Sequence, residues 1–310
     1  MGLHNAFTAV YGATALAGLR NLDYQANPEV RNDVSIGSPY PQFAAIVGQK
    51  PRLLFAADRI DTLLGITGSS GAKIDATNNL VGYFAALDED GLPLAGAVHR
   101  AYTATRGLLV PRRLQCSHRQ AAMVDCEAIL RSEDGSAHPI TIADNVALPT
   151  LPSADVQHTL GKIQLGVAGL APLNFDLDCP TDLSIDFGNG AQTRGCSSDV
   201  YDVHTEQPGI QPVTTLTSLS AAAFGPNGVP PVGKKIKHDG TILYLRKYDE
   251  GIGFVDDATA EHIRITLDGV AVVTSHTGQG TSAAQVNLQI TGKIAGGVVP
   301  VTINTASAIT

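Results

Sequence analysis

The sequence contains no tryptophan, and aromatic residues make up only 5% of its 310 positions. Sugar-binding surfaces lean on exposed aromatic rings, so this scarcity counts against carbohydrate recognition. Charged residues are sparse at 16% and sum to −8. Residues 1–150 hold 12 Lys and Arg against 14 Asp and Glu, and residues 151–310 hold 9 against 15. There is no basic face of the kind a nucleic-acid reader carries, because the short Lys234-Lys235-Ile236-Lys237 run reads as a solvated turn. No apolar run approaches a membrane-spanning length. The opening Met1-Gly2-Leu3-His4-Asn5 lacks the charged and apolar regions of a secretory signal. Residue 6 is Ala where a myristoylation signal needs Ser or Thr. The expectation is a chain made and folded in cytoplasm, with Cys116, Cys126, Cys179 and Cys196 as free thiols.

Catalytic motifs are missing as well. Gly65-Ile66-Thr67-Gly68-Ser69-Ser70-Gly71 is rich in Gly and Ser but lacks the spacing of a nucleophile elbow. No phosphate-cradling loop occurs. Cys116-Ser117-His118 with Cys126 does not have the paired-ligand spacing of zinc sites. Asp88-Glu89 and Asp249-Glu250 precede glycines and read as β-turns, for which Asp and Gly are favoured. His99 and His262 read as strand histidines near a surface. No catalytic residue, metal ligand or cofactor is expected.

What the chain does contain is a repeat. Residues 80–149 and 241–309 carry the same landmarks in the same order. Tyr83 to Tyr244, Asp88 to Asp249 and Pro139 to Pro300 are each a step of 161, and His99 to His262 is 163. Upstream, Gly18-Leu19 resembles Gly169-Leu170, Asn27-Pro28 resembles Cys179-Pro180, and Gln49-Lys50-Pro51 resembles Glu206-Gln207-Pro208, at smaller steps of 151 to 157. Collinear matches imply duplication, with loops of different length between preserved elements. The expected domains are residues 1–150 and 151–310, joined by a linker near 148–153.

Period-two alternation dominates. Val286, Leu288 and Ile290 point one way while Gln285, Asn287, Gln289 and Thr291 point the other, the pattern of a half-buried strand. Its counterpart sets Ala122, Val124, Cys126, Ala128 and Leu130 against Met123, Asp125, Glu127 and Ile129. Ile263–Leu267 and Val270–Val273 around Asp268-Gly269 read as a hairpin. Each half carries one short helix: Asp58 caps Arg59–Leu64, ending at Gly65, and Thr217 caps Ser218–Phe224, ending at Gly225-Pro226. The fold class is mostly β: two tandem, similar β-sandwich or barrel domains, each with one short flanking helix. Two long loops occupy matching places, Ser35-Ile36-Gly37-Ser38-Pro39-Tyr40-Pro41-Gln42 and Gly188-Asn189-Gly190-Ala191-Gln192-Thr193-Arg194-Gly195, the second running on to Ser198. Loops of such length are commonly functional.

The segment Gly18–Val30 leading into the long loop, then the strand and short helix from Gln49 to Ile60, and the closing strands over 281–305, resemble the tail tube proteins of long-tailed bacteriophages. The resemblance covers most of both halves as a pattern of elements without diagnostic residues. It implies rings whose inner strands close into a β-barrel channel. A duplicated chain implies a homotrimer with pseudo-sixfold symmetry, stacked into a tube in the virion tail, with tape-measure, terminator and baseplate proteins as partners and double-stranded DNA in transit. No immunoglobulin-like decoration domain is expected. The two long loops are the expected ring-stacking elements. Asp125, Glu127, Asn287 and Gln289 are the expected lumen-lining residues, the alternative being the outer solvent surface. A neutral or acidic lining avoids holding phosphates. Other readings are a tail terminator, a baseplate hub or a secretion tube, and a carbohydrate-binding or hydrolytic β-protein.

Overall fold

A computed structural model describes residues 4–34, 36–37, 39–152, 156–166, 174–177, 179–196, 198–207, 209–219, 232–233, 235–237, 240–277, 285–294, 297 and 299–310. The chain is mostly β, with 59% of residues in strands, 3% helical and one helix among the described residues. In the first half the elements are β1 (His4–Tyr11), β2 (Thr14–Leu16), β3 (Leu19–Gln25), β4 (Pro28–Asp33), β5 (Phe43–Gln49), β6 (Arg52–Ala57), α1 (Ile60–Thr67), β7 (Ala72–Ile74), β8 (Leu80–Ala86), β9 (His99–Ala104), β10 (Gly107–Ser117), β11 (Met123–Leu130) and β12 (Ile140–Val146). In the second they are β13 (Val156–Gly166), β14 (Asn174–Asp176), β15 (Pro180–Asp186), β16 (Gln192–Arg194), β17 (His204–Glu206), β18 (Val213–Ser218), β19 (Lys235–Lys237), β20 (Thr241–Asp249), β21 (Gly253–Phe254), β22 (His262–Leu267), β23 (Gly269–Thr277), β24 (Gln285–Gly292) and β25 (Val301–Ser307).

Every pairing between these strands is antiparallel. One sheet has the order β12-β9-β8-β1-β2 and another β14-β13-β20-β22-β25. A ten-stranded sheet runs through both halves in the order β19-β23-β24-β18-β15-β10-β11-β6-β3, with β7 on β10. The smaller sheets pack on one face of the large one. A Cβ placed on Gly82 of β8 would meet Leu22 and Leu53 across that interface, and Tyr24 of β3 meets Tyr102 of β9 with ring centroids 5.6 Å apart. One cluster of buried side chains extends through both halves, from Ala9 and Leu22 to Ile290 and Val301. Alternation explains the layering: Val124 and Cys126, like Val286, Leu288 and Ile290, point into this core.

The two halves repeat each other strand by strand. Leu22 opposite Phe55 is matched by Leu183 opposite Leu216, each 161 further on. Pro111 opposite Cys126 is matched by Val273 opposite Leu288, each 162 further on, and the β-bulge that follows recurs too. The repeat is therefore more regular than its upstream dipeptides suggest. Gly18, in the left-handed region, corresponds to Cys179, also left-handed, and not to Gly169. Pro51 corresponds to Pro212 and not to Pro208. Short Gly-Leu and Asn-Pro matches carry too little information to set a register, whereas hydrogen-bonded partners do.

Other local expectations are revised. β22 and β23 do not form a hairpin: the chain leaves one sheet at Leu267 and enters the ten-stranded sheet at Gly269. The first helix starts at Ile60, runs through Gly65 and stops at Gly68. The Asp58 carboxylate is engaged by Arg20 and does not cap it. Thr217 and Ser218 lie inside β18, so Thr217 caps no helix, Leu219 follows as a bend, and residues 220–224 of that expected helix, with Ser35, Ser38, Ser153, Ser197 and Pro208, lie outside the described residues.

Candidate functional site: a polar sheet face, two open edges and two arms

The face of the ten-stranded sheet that points away from the core is largely polar. It presents Asn21, Asp23 and Gln25 on β3, Arg113, Gln115 and Ser117 on β10, Asp182, Ser184 and Asp186 on β15, Thr215 and Thr217 on β18, and Asn287 and Gln289 on β24. The sheet is hollowed over its middle strands, where an open concavity of about 460 Å³ is lined by Arg113, Gln115, Ser117, Asp182, Ser184 and Thr217 among others. Hydrogen bonds tie this face together across strands. Thr217 Oγ1 donates to Asn287 Oδ1 at 2.7 Å, and Asn287 Nδ2 donates to Ser275 Oγ at 2.6 Å. Asp125 and Gln289 are half-buried on the same face.

Glu127 differs from the expectation. It lies on this face but is buried, with its side chain 7% exposed between two arginines. Arg52 Nη1 donates to Oε1 at 2.6 Å, and Arg112 Nε donates to Oε2 at 2.6 Å. Its equivalent in the second half is Gln289, and the equivalents of Arg52 and Arg112 are Val213 and Thr274. All three charges are replaced together by neutral groups, as is needed to avoid an uncompensated buried charge. Alternation identifies the face a carboxylate points from, but not the cations that close over it.

The two halves meet edge to edge. β10 pairs with β15 from Arg113 opposite Asp186 to Ser117 opposite Asp182. Arg113 Nε donates to Ser184 Oγ at 3.0 Å, and Ser117 Oγ donates to Asp182 Oδ1 at 2.7 Å. Beside this junction α1 packs on β25: Ser69 Oγ donates to the Val301 carbonyl at 2.7 Å, and Ile303 is packed against the core. The same surfaces are open at the far ends. β3, the counterpart of β15, pairs with β6 and has no strand on its other side among the described residues. β19 covers Val270–Val272 of β23, as β7 covers Gly107–Leu109 of β10. Beyond it the outer side of β23 is unpaired among the described residues. Ile142 on β12, the counterpart of Ile303, is 51% exposed.

Both long loops are hairpin arms that extend the sheet hairpins β3–β6 and β15–β18. Arg31 opposite Ala45 in β4–β5 is matched by Gln192 opposite Glu206 in β16–β17. Each arm turns away from the sheet at a left-handed residue, Asn27 or Gly188. At Gly188 a Cβ would meet the Gln211 carbonyl oxygen at 2.1 Å, so the bend there needs glycine. The fates of the arms differ. The loop Gly188–Gly195, expected from the sequence to stack rings, folds onto the first half of its own chain. Asn189 Nδ2 donates to the Pro111 carbonyl at 2.8 Å, and Ala191 is buried with Val110 and Ile129. Gln192–Arg194 form β16, and the tip beyond them accepts and donates backbone bonds: Ser132 N–H to Asp202, and Val200 and Tyr201 N–H to Gly135. The Tyr201 ring meets His138 at 5.1 Å. By contrast β4 is exposed along its whole length, and Val30, Phe43, Ile46 and Val47 of β4–β5 all face outward. Ile36, Gly37 and Pro39–Gln42 sit at its tip.

The remaining candidates are structural. His99 Nδ1 accepts the Ala86 N–H and His262 Nδ1 accepts the Lys247 N–H, both at 3.0 Å. The histidines are therefore buried acceptors at one place in the repeat, not surface groups. Asp88 Oδ1 accepts the N–H groups of Asp90 and Leu92, and Asp249 Oδ1 that of Gly251, as turn residues do. Cys116 and Cys126 are buried free thiols, and Cys179 and Cys196 are exposed free thiols. Burial pushes the Cys116 thiol up to about 12. Among the described residues no cluster of three or more His, Cys, Asp or Glu side chains is placed to hold a metal ion, and no helix is long and apolar enough to cross a membrane. No protein-family model matches the chain, and no curated protein matches it.

Proposed function

We propose that this protein is a structural subunit that closes into rings and stacks into the tail tube of a long-tailed phage, a conduit for DNA. The observation that carries this reading is the β10–β15 junction. It joins two four-strand units in the same order, β3-β6-β11-β10 and β15-β18-β24-β23, head to tail. It leaves β23 and β3 as open edges of the two kinds that already pair inside the chain. An unpaired edge is a template for another strand, and repeating a heterologous contact closes a ring when the rotation allows it. Pairing β23 of one copy with β3 of the next, in the register of the internal junction, sets Ser275 opposite Gln25 and Thr277 opposite Asp23. Three copies then make a pseudo-sixfold ring whose polar sheet face surrounds the lumen.

The charge on that face supports a channel for a polyanion. Asp23, Asp125, Glu127, Asp182 and Asp186 stand against Arg52, Arg112 and Arg113, and two of those arginines are taken up by Glu127. Phosphates therefore meet few free cations. Electron microscopy and sedimentation of the purified chain test the proposal. Rings of three chains that stack into tubes are expected. Rings of six whole chains, or a chain that stays monomeric at all concentrations, refute it. Rings that form but never stack favour a terminator-like subunit instead.

A further inference from the structure

We infer that the exposed arm β4–β5 docks on the second half of a neighbouring copy in the same ring, on a surface formed by Val270, Val272, Thr291, Ile294, Gly297 and Val299. The inference rests on the ring reading and adds an interface to it. The template lies within the chain, where the equivalent arm β16–β17 seats on the first half. There Ala191 fills the site of Val110 and Ile129, with Leu108 against it. The counterparts of these three receptor residues are Val272, Thr291 and Val270, and the counterpart of Ala191 is Val30. Val270 is exposed, and Val272 and Thr291 are half-buried; among the described residues none covers them as Ala191 covers the first half.

Two glycines show the same difference. Gly135 and Gly297 share one left-handed conformation, with φ of 80° and 83°. A Cβ at Gly135 would strike Asp199 of the seated arm at 2.4 Å, whereas at Gly297 it would meet nothing within 4 Å. One receptor surface is filled, and its repeat is open among the described residues. The arm itself is suited to filling it, since Val30 is 55% exposed and Ile46, its partner across the hairpin, is exposed on the same face. Val30 and Ile46 stand opposite each other, and exposed apolar pairs of this kind on a two-stranded arm suit an interaction site. Some backbone bonds carry over and one does not. The Ile294 N–H has the Pro41 carbonyl in the place of Asp202, and the Gly297 carbonyl has the Tyr40 N–H in the place of Tyr201. Pro39 replaces Val200 and has no N–H to donate. The arm thus acts as a strap across each chain boundary, as β16–β17 straps the boundary inside the chain.

The test uses the full chain with Cys179→Ser and Cys196→Ser, leaving only the two buried thiols. One version carries Val30→Cys and the other, enlarged by a tag, carries Thr291→Cys. The two are co-expressed and treated with a short bis-maleimide. A cross-linked product of one chain of each kind is expected in the mixture, and neither version alone should give a cross-linked pair. The product should be present in isolated single rings. Rings without this product, or a product confined to stacked tubes, overturn the arm assignment while leaving the ring reading intact. Chains that never associate overturn both. A second variant, Val30→Asp with Ile46→Asp, should leave the monomer's melting unchanged and raise the concentration needed for ring formation about tenfold or more. Unchanged ring formation in that variant also overturns the inference.

Discussion

Glu127→Gln is the substitution whose cost follows most directly from the geometry. The carboxylate is 93% covered at the side chain, that is 7% exposed, while Arg52 and Arg112 keep 32% and 31% exposure. The amide keeps the shape and one acceptor but removes the only negative charge between two guanidinium groups. Breaking a buried ion pair by removing one partner costs about 3–5 kcal/mol. Here water reaches both arginines and takes back part of the loss, so the expected destabilisation is about 2–3 kcal/mol. Urea unfolding of the monomer, read by far-ultraviolet circular dichroism, measures it. The triple change Arg52→Val, Arg112→Thr, Glu127→Gln copies the neutral set of the second half and should recover most of the loss. A Glu127→Gln variant within about 0.5 kcal/mol of the parent, the size of an ordinary surface change, would refute the argument that this triad is a coupled buried unit.

Asp125→Lys, half-buried and free of that triad, should leave tubes intact and slow DNA passage, measured by ejection kinetics in reconstituted tails; unchanged kinetics would place Asp125 outside the channel. His158 is buried, and burial pushes its pKa from 6.5 down to about 4. The unfolded chain takes the proton first, so the stability His158 contributes is complete above pH 6.5 and is lost as the pH falls towards 4. The loss reaches about 3 kcal/mol. His158→Phe should flatten unfolding free energy between pH 6.5 and 4.5, and an unaltered slope would assign acid sensitivity elsewhere. His262→Leu should strand the part-buried Lys247 N–H and cost about 1–3 kcal/mol in a thermal melt. Cys179 and Cys196 should react with a maleimide in the native protein and Cys116 and Cys126 only after unfolding, as mass spectrometry of the labelled peptides would show.

The sequence by itself was enough for the β-rich class, the internal repeat and the strands of the polar face. Alternation in Gln285–Thr291 and Met123–Ile129 reports directly which side of a strand meets a core, because the side-chain period of a strand is two. The landmarks Tyr83, Asp88 and Pro139 kept a step of 161, and His99 moved by two, because a one-residue insertion within a strand would turn every side chain to the wrong face. Only the tertiary structure decided the rest. Glu127 and Asp125 look alike in the alternation, yet two arginines from β6 and β10 close over one of them. The loops at Ser35–Gln42 and Gly188–Gly195 both read from the sequence as ring-stacking loops, yet one arm is seated and the other is exposed along β4. That difference comes from what lies beside each arm: the second has the first half of its own chain as a neighbour, and the first reaches past the edge at β3, where no described residue seats its exposed face.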